Sequence, residues 1–250
     1  MSLAQRKRTL PRPVRAVRRV APALAGVLVG LVLLSAGWDA LNDPHRFPIA
    51  EVKVSGEVRH VDPVTLRTAV TGAIDGGFFG LDVERIQRQV QQLAWVDQVW
   101  VRRVWPDGLE VRVKEQVPLA HWGASRLVNA RGEVFDADGR EPAGLPRLQG
   151  PDERVAAVAA LYLAVERRLR ELNLQVSALS LDERAAMRVG LAGGVELVIG
   201  RKERERRLAR FIQVYPKLLA SRAGEIARID LRYGNGFAVQ WKNGKQSQTT

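Results

Sequence analysis

Residues able to carry catalysis are few in this chain, and their spacing does not suit it. Carboxylates fall close together in the segments holding Asp136 and Asp138 and in the pair Asp182 and Glu183, all at positions typical of turns and strand ends. Asp182 and Glu183 are adjacent, and neighbouring positions of a strand point to opposite faces, so their spacing does not predict an acid/base pair. The chain has no cysteine, three scattered histidines and no Gly-x-Ser-x-Gly elbow, which excludes thiol and cysteine–zinc chemistry and gives no sign of a serine hydrolase. We therefore predict no catalytic residue, metal site or cofactor, and a protein that is not an enzyme.

One glycine-rich stretch, "GGFFG" at 76 to 80, could in principle cradle a phosphate. Its spacing is not that of a dinucleotide or P-loop fingerprint, no strand leads directly into it, and no Lys-Ser/Thr pair follows. It is interpreted as a loop between two helices. We expect Phe78 and Phe79 to pack on the core, and exposure of one of them stays open.

Positive charge is concentrated at the start of the chain. The formal net charge is +12, but residues 1 to 19 hold seven basic side chains and no acidic one. The remainder has 32 basic and 27 acidic side chains, a balance of only +5. A basic tail on a nearly balanced body does not indicate a nucleic-acid-binding protein, and we predict no nucleic-acid partner.

The tail is followed by nineteen residues without a charge, 20 to 38. At about 1.5 Å per residue a helix of this length spans roughly 28 Å, close to the ~30 Å hydrocarbon core of a bilayer. Trp38 ends the run, where aromatic rings favour the membrane interface, and the basic residues precede it. The sequence therefore predicts a single-pass, type II membrane protein, with residues 1–19 cytoplasmic, 20–38 in contact with lipid, 39–46 as a linker and the rest outside the cytoplasm.

A cleaved signal peptide is the alternative for this segment, with "LSAG" at 34 to 37 as the cleavage site. The apolar run is long for the core of a signal peptide. A new amino terminus near Gly37 would distinguish an exported protein from an anchored one.

The region after the linker predicts a compact unit over 47–117. Alternating apolar residues in 47 to 56 indicate a strand, and Asp62-Pro63 caps the helix that follows. Asp82 caps a second helix, and the segments 95 to 105 and 109 to 115 are strands joined by a Pro-Asp-Gly turn. The predicted order is β-α-α-β-β.

The region 118–242 predicts a mixed, mainly antiparallel sheet with two helices. A long helix starts near Asp152, and three successive antiparallel strands over 174 to 200 follow it. Residues 201 to 220 form an amphipathic helix whose basic face is interpreted as an ordinary solvated surface, with Glu203 paired to Arg207. Two last strands, around "IDLRYGNGFAVQWK" at 229 to 242, form a hairpin, and we expect a flexible tail over 243–250. The fold class is α+β.

Four segments in this order resemble the bacterial cell-division protein family FtsQ/DivIB. They are "FPIAEVKVSG", "LAWVDQVWVRRVWPDGLEVRVKEQVPLAHW", "RRLARFIQVYP" and "IDLRYGNGFAVQW", and the likeness covers residues 47 to 241. The resemblance implies a POTRA domain at 47–117 and a β domain at 118–242. It also implies a non-enzymatic scaffold of the division machinery, in the inner membrane and facing the periplasm, concentrated at the septum and essential for septum formation.

The protein partners expected for this chain are implied by the resemblance, and the composition does not indicate them. Proteins of this family bind FtsB and FtsL, are recruited downstream of FtsK, and so link early division proteins to late ones such as FtsW, FtsI and FtsN. In such proteins FtsB adds a β-strand to the terminal strand. An edge strand with unpaired N–H and C=O groups is a template for another chain, and we expect the last strand here to present such a free edge.

The resemblance also assigns partner-binding residues. Arg232 and Tyr233 match an Arg-Tyr pair of the family, Asn235 and Gly236 a Ser-Gly pair, and Trp241 a closing tryptophan. Arg184 stands where the family has an arginine that pairs with an acidic residue of FtsB. Phe237 and Val239 complete the predicted edge strand, with Phe237 replacing a small alanine, Gly234 an aspartate and Gln240 a glycine. Core packing of Tyr233 and Trp241 remains open.

Two other classes of protein remain open at this point. One is a POTRA-containing component of outer-membrane assembly or secretion, although such proteins usually carry several POTRA repeats or a long barrel. The other is an exported periplasmic enzyme with a cleaved signal peptide.

Overall fold

The structure is a computed structural model that describes residues 14–43, 45–242 and 246–249. The described chain divides into two compact units. The first comprises the residues up to Gly56, 64–90 and 99–113, and the second comprises 57–63, 91–98 and the residues from Lys114 onward.

The first element is a 29-residue helix, α1 (Val14–Asn42). Its described large apolar side chains are exposed at nearly every consecutive position, and these are Val27, Leu28, Val29, Leu31, Val32, Leu33 and Leu34. Among the described residues, no helix combines the length and the apolar character needed to cross a bilayer. The predicted basic tail falls partly on residues 1–13, outside the described residues, and 14–19 belong to α1.

The β-α-α-β-β order predicted after the linker is confirmed. Its elements are β1 (Glu51–Ser55), α2 (Pro63–Ala73), α3 (Val83–Gln91), β2 (Val96–Val104) and β3 (Gly108–Glu115). β3 is the central strand of the three-stranded sheet and pairs with β1 in parallel. The core consists of apolar side chains that are almost fully buried, namely Leu66, Val70, Ile86, Val90, Val99, Leu109, Val111 and Val113. Asp82 caps α3 as predicted, because its carboxylate accepts the N–H of Arg85 at 2.9 Å.

The segment before α2 is held by one carboxylate at the end of β3. Oε1 of Glu115 accepts the backbone N–H groups of Arg59, His60 and Val61 at 2.9, 2.8 and 2.7 Å. The Glu115 side chain is 9 % exposed, and its Oε2 lies 3.0 Å from Nδ1 of His60. Burial opposes ionisation of this carboxyl, but the hydrogen bonds from the three N–H groups and from His60 outweigh it and hold its pKa below the ordinary value. His60 stacks on Trp95, with ring centroids 4.1 Å apart.

In the described residues from Gln116 onward, the structure has ten strands, two helices and two short 3₁₀ turns. The strands are β4 (Pro118–Trp122), β5 (Arg126–Asn129), β6 (Val134–Asp136), β7 (Arg147–Gln149), β8 (Val176–Leu181), β9 (Met187–Leu191), β10 (Glu196–Gly200), β11 (Ile226–Asp230), β12 (Phe237–Trp241) and β13 (Gln246–Thr249). The helices are α4 (Val155–Arg170) and α5 (Arg204–Leu218), and the 3₁₀ turns cover 152 to 154 and 220 to 225.

All ten strands form one mixed sheet in the order β13-β12-β11-β10-β9-β8-β7-β4-β5-β6. The predicted antiparallel pairs β8–β9, β9–β10 and β11–β12 are confirmed. The β4–β7, β7–β8 and β10–β11 pairs are parallel, and the last two are bridged by α4 and α5, as parallel neighbours require. One apolar core joins the sheet to both helices through side chains that include Tyr162, Leu169, Leu208, Phe211, Val189, Ile199 and Ile229.

The expectation of a free terminal edge is wrong for this structure. β12 pairs antiparallel with β13, in the register Phe237↔Thr249, Ala238↔Gln248, Val239↔Ser247 and Gln240↔Gln246. The predicted flexible tail therefore contains a strand over 246–249, whereas 243–245 and 250 lie outside the described residues. The physical reason is general: an unpaired row of backbone N–H and C=O groups accepts whatever extended segment can reach it, and the chain's own end is nearest.

Candidate partner-binding edge

The residues predicted to bind a partner are gathered mainly in the hairpin of β11 and β12. The strands pair with Ile226 opposite Trp241, Ile229 opposite Val239 and Asp230 opposite Ala238, and residues 231–236 form the turn between them. Six of the predicted residues lie in this turn or in β12 up to Val239. Trp241 is the last residue of β12.

Arg232 is fixed against its own strand. Its Nε lies 2.9 and 3.0 Å from the two carboxylate oxygens of Asp230, its Nη2 lies 2.7 Å from Oδ2, and its backbone N–H donates to Oδ1 at 3.0 Å. Burial opposes ionisation of Asp230, but these bonds and the charges of Arg232 and Arg228 hold its pKa below the ordinary value. The stem of Arg232 passes beside Gly200, where an added Cβ would approach its Cγ to 3.1 Å. The guanidinium is thus oriented before any partner arrives.

The turn itself is braced by two arginines that sequence reasoning placed on a solvated surface. Arg207 of α5 donates to the carbonyls of Ile199 and Arg232, at 2.8 and 3.1 Å. Arg210, one helical turn on, donates to the carbonyls of Tyr233 at 3.0 Å and of Gly234. We call Arg207 and Arg210 the arginine brace.

The expected pairing of Glu203 with Arg207 is wrong. Glu203 lies 3.8 Å from Arg206 instead, whereas Arg207 turns inward to the carbonyls. The sequence contains one indication that these arginines face inward. Both neighbour Leu208 and Phe211, which lie on the buried side of α5. The spacing of residues in the sequence does not show which carbonyl groups the two guanidinium groups bond.

Tyr233 projects from the braced turn, with 52 % of its surface exposed. Asn235 is exposed as well, and Gly236 is half-buried. Core packing of Tyr233, which the sequence left open, does not occur. A large, half-exposed aromatic ring on a rigid turn is the kind of residue that interfaces use as an anchor.

The strand after the turn contributes differently from what was expected. The side chains of Phe237 and Val239 are buried in the domain's own core, at 5 and 2 % exposure. Phe237 is therefore not a bulky exposed edge residue, and both residues can meet a partner only through backbone atoms. Trp241 is half-buried against the same core, with the guanidinium carbon of Arg222 4.1 Å from its ring centroid.

Arg184 is separate from the hairpin but lies at the same end of the sheet. It is exposed in the turn between β8 and β9. The registers Met187↔Gly200, Val198↔Asp230 and Asp230↔Ala238 bring that turn and the β11–β12 turn to one end. From β9 to β12 is three strand spacings, roughly 14 Å. Arg184 borders an open groove of about 940 Å³ between this turn and residues 149 to 153.

Within 14–43, 45–242 and 246–249, no three histidine, aspartate or glutamate side chains are grouped so as to hold a metal ion. What the site offers is backbone along a sheet border, the half-exposed ring of Tyr233, the guanidinium of Arg232 held by Asp230, and the exposed Arg184.

Comparison with known proteins gives matches over both regions. Residues 47–116 match the family model described as POTRA domain, FtsQ-type, and residues 120–232 match the model described as Cell division protein FtsQ/DivIB, C-terminal. A Cell division protein FtsQ of Coxiella burnetii is 32% identical over 238 residues, covering 95% of this chain and 98% of the relative. One of Allochromatium vinosum is 40% identical over 221 residues, covering 88% of each chain.

A further relative of the same name, from Xanthomonas campestris, is 37% identical over 223 residues, or 87% of this chain and 77% of the relative. Similarity at this level extends over most of both chains in each case. The resemblance is confirmed: the chain belongs to the FtsQ family of bacterial cell-division proteins, with an FtsQ-type POTRA domain followed by the FtsQ/DivIB C-terminal domain.

Proposed function

We propose that this protein is a non-enzymatic, single-pass scaffold of the division machinery that captures FtsB, and with it FtsL, by accepting a β-strand along β12. The observation that carries the proposal is the border of the large sheet. There, β12 pairs on its outer side with only a four-residue strand of the polar sequence Gln-Ser-Gln-Thr. This border already accepts an antiparallel strand, so a partner strand can use the same backbone groups.

The chain's own strand is the occupant that FtsB would replace. Residues 246–249 have no apolar side chain to bury and can contribute little beyond backbone hydrogen bonds. A longer partner strand makes the same bonds, adds side-chain contacts with Tyr233 at the turn, and can place an acidic residue toward Arg184. Asn235, Gly236, Phe237, Val239 and Trp241 then serve the interface through backbone position and strand geometry.

Capture of purified FtsB–FtsL by the full chain tests this interface. Tyr233→Ala should weaken binding by about 2 kcal/mol, roughly thirtyfold in Kd, because an anchoring aromatic is lost. Truncation after Lys242 should leave binding intact or tighten it, because the competing strand is gone. The truncated chain failing to bind would mean that 246–249 belongs to the interface, and unchanged binding by Tyr233→Ala would remove the turn from it.

The membrane anchor is the second part of the proposal. Residues 20–38 are uncharged, and the large apolar side chains of the described part of this run are exposed in water on all sides of α1. A hydrocarbon environment relieves that exposure, and the basic residues before it favour a cytoplasmic amino terminus. Protease added to spheroplasts should digest the POTRA and β domains and leave residues 1–38 protected. Release of the whole chain by alkaline carbonate would contradict anchoring.

We also propose that the protein lies in the inner membrane at the septum and acts between FtsK and the later proteins FtsW, FtsI and FtsN, a placement that membership of the FtsQ family supports. A fluorescent fusion should gather at mid-cell, and depletion of FtsK should abolish that recruitment. Recruitment that persists without FtsK would break the proposed order.

A further inference from the structure

One end of the POTRA domain exposes aromatic side chains that its core does not use. Trp105, in the turn between β2 and β3, is 77 % exposed. Phe79, in the loop between α2 and α3, is exposed although its neighbour Phe78 is buried, and Phe47, in the segment before β1, is also exposed. Large aromatic rings left in water at a domain surface commonly mark an interaction site.

Backbone contacts bring these three residues to the same end. β1 starts beside the β2–β3 turn, with Glu51 opposite Gly108 and the N–H of Ala50 donating to the carbonyl of Asp107 at 2.9 Å. The segment before β1 is bonded to the α2–α3 loop, because the N–H of Phe78 donates to the carbonyl of Phe47 at 2.8 Å. The rings of Phe47 and Phe79 meet edge to face, 5.1 Å between centroids.

The same end is held close to the end of α1. Only eight residues separate Asn42 from Glu51. The carbonyl of Asp43 accepts the N–H groups of Arg46 and Phe47, each at 3.1 Å. Gly77 lies so near that an added Cβ would come within 2.9 and 3.0 Å of the Phe47 and Asp43 carbonyl oxygens. The connection is therefore folded against the loop and is not a free tether.

We infer that Phe47, Phe79 and Trp105 form an aromatic seat that rests in the headgroup layer of the bilayer holding α1. The inference depends on the proposed anchor. If α1 spans the membrane to Trp38, the seat emerges within one short, folded connection of the surface. Aromatic rings are stabilised at that depth, where one side is apolar and the other is wet.

Continuity favours lipid over a protein partner. The exposed apolar surface of α1 runs to Trp38 and Leu41, and the seat follows directly. The seat would hold the first POTRA strand and its turn at a fixed height above the membrane, so that recruitment partners approach a domain of defined orientation.

Site-directed labelling tests the depth of the seat, and the lack of cysteine in the sequence makes single-cysteine variants of the full chain straightforward. An environment-sensitive fluorophore is placed at Asp75→Cys, an exposed position of the α2–α3 loop, and at Val64→Cys, an exposed position at the opposite end of α2. The labelled protein is reconstituted into vesicles of phosphatidylethanolamine and phosphatidylglycerol. The label at 75 should be several-fold less accessible to iodide than the label at 64, and should be quenched by headgroup-attached spin labels.

A second pair of variants asks whether the aromatic rings cause this depth. With the label at 75, Trp105→Ala should raise iodide accessibility toward that at 64, and Trp105→Tyr should keep it low. Both should retain the circular dichroism spectrum and the thermal midpoint of the parent, since Trp105 contributes little to the core. Accessibility unaffected by Trp105→Ala would overturn the role of the ring.

A label at Leu31→Cys separates failure of the seat from failure of the anchor. Position 31 buried in lipid with 75 as accessible as 64 overturns the seat and leaves the anchor standing. Position 31 accessible to iodide, with the protein washed off at alkaline pH, means that the anchor itself is wrong and the seat falls with it.

Discussion

The two domains hold a surface segment in place with buried or half-buried charge, but with opposite sign. In the POTRA domain the carboxylate of Glu115 collects the N–H groups of three successive residues before α2. In the C-terminal domain the arginine brace, Arg207 and Arg210, collects carbonyls of the β11–β12 turn. A carboxylate can be neutralised by acid and a guanidinium cannot. The first segment is therefore sensitive to acid, because its acceptor loses its charge when Glu115 takes up a proton.

The two segments also differ in the contacts that stabilise them. The turn between β11 and β12 leads into a strand whose own side chains are buried, so the brace shapes a turn that packing already holds. In the segment before α2, His60 stacks on Trp95, and three successive N–H groups share the single acceptor Glu115. Four predictions test this division, and they are given in order of expected effect.

The largest effect is expected from the buried strand after the braced turn. Val239→Asp places a carboxylate in the apolar core beside Ile229 and should lower the free energy of unfolding by about 4 kcal/mol. Urea unfolding followed by circular dichroism measures it. Gln240→Glu, at the neighbouring exposed position, is the matched control and should change little. A small loss in Val239→Asp would mean that the brace, and not packing, holds β12.

Removal of the POTRA acceptor should come next. Glu115→Ala leaves three backbone N–H groups without their partner and should cost about 2 kcal/mol of unfolding free energy. Glu57→Ala is the control, because Glu57 lies just before the segment 59–61 and its side chain is exposed. Equal losses of unfolding free energy in Glu115→Ala and Glu57→Ala would show that the hydrogen bonds to Glu115 do not stabilise the fold.

Acid should weaken the same contact in the unmodified chain. The pKa of Glu115 is lower in the folded protein than in the unfolded one, so the unfolded state takes up its proton first as pH falls. The stabilisation is complete above the unfolded pKa, about 4.3, and is lost as pH falls through the lower folded value. Urea midpoints between neutral pH and pH 3 should fall less steeply in Glu115→Ala than in the parent. Parallel curves would contradict this.

The smallest loss of stability should follow removal of one half of the brace. Arg210→Ala should cost about 1 kcal/mol, since the freed carbonyls can turn to water. Its effect on capture of FtsB should be larger than this, because the turn that presents Tyr233 loses its fixed shape. Arg206→Ala, on the exposed side of the same helix, is the control for both measurements. Loss of stability without loss of capture would reduce the brace to a structural role.

Features that depend on neighbours in the chain were predictable. Helix caps such as Asp82, the Pro-Asp-Gly turn before β3 and the alternation of β11 and β12 are local patterns, and each is found in the structure. The likeness to the family and the order of the POTRA elements rest on the same kind of information. The candidate turn residues, Arg232 to Gly236, could be located for this reason.

The sequence by itself determined the order of the POTRA elements, the turn that holds the candidate site and the family. Only the tertiary structure decided that Phe237 and Val239 face the core, that Arg207 and Arg210 reach the carbonyls of the turn, and that residues 246–249 take the border of β12. The reason is physical. Periodicity along the chain fixes which residues share a face, but the choice of face, and the partner of an edge strand, depend on segments that meet only after folding.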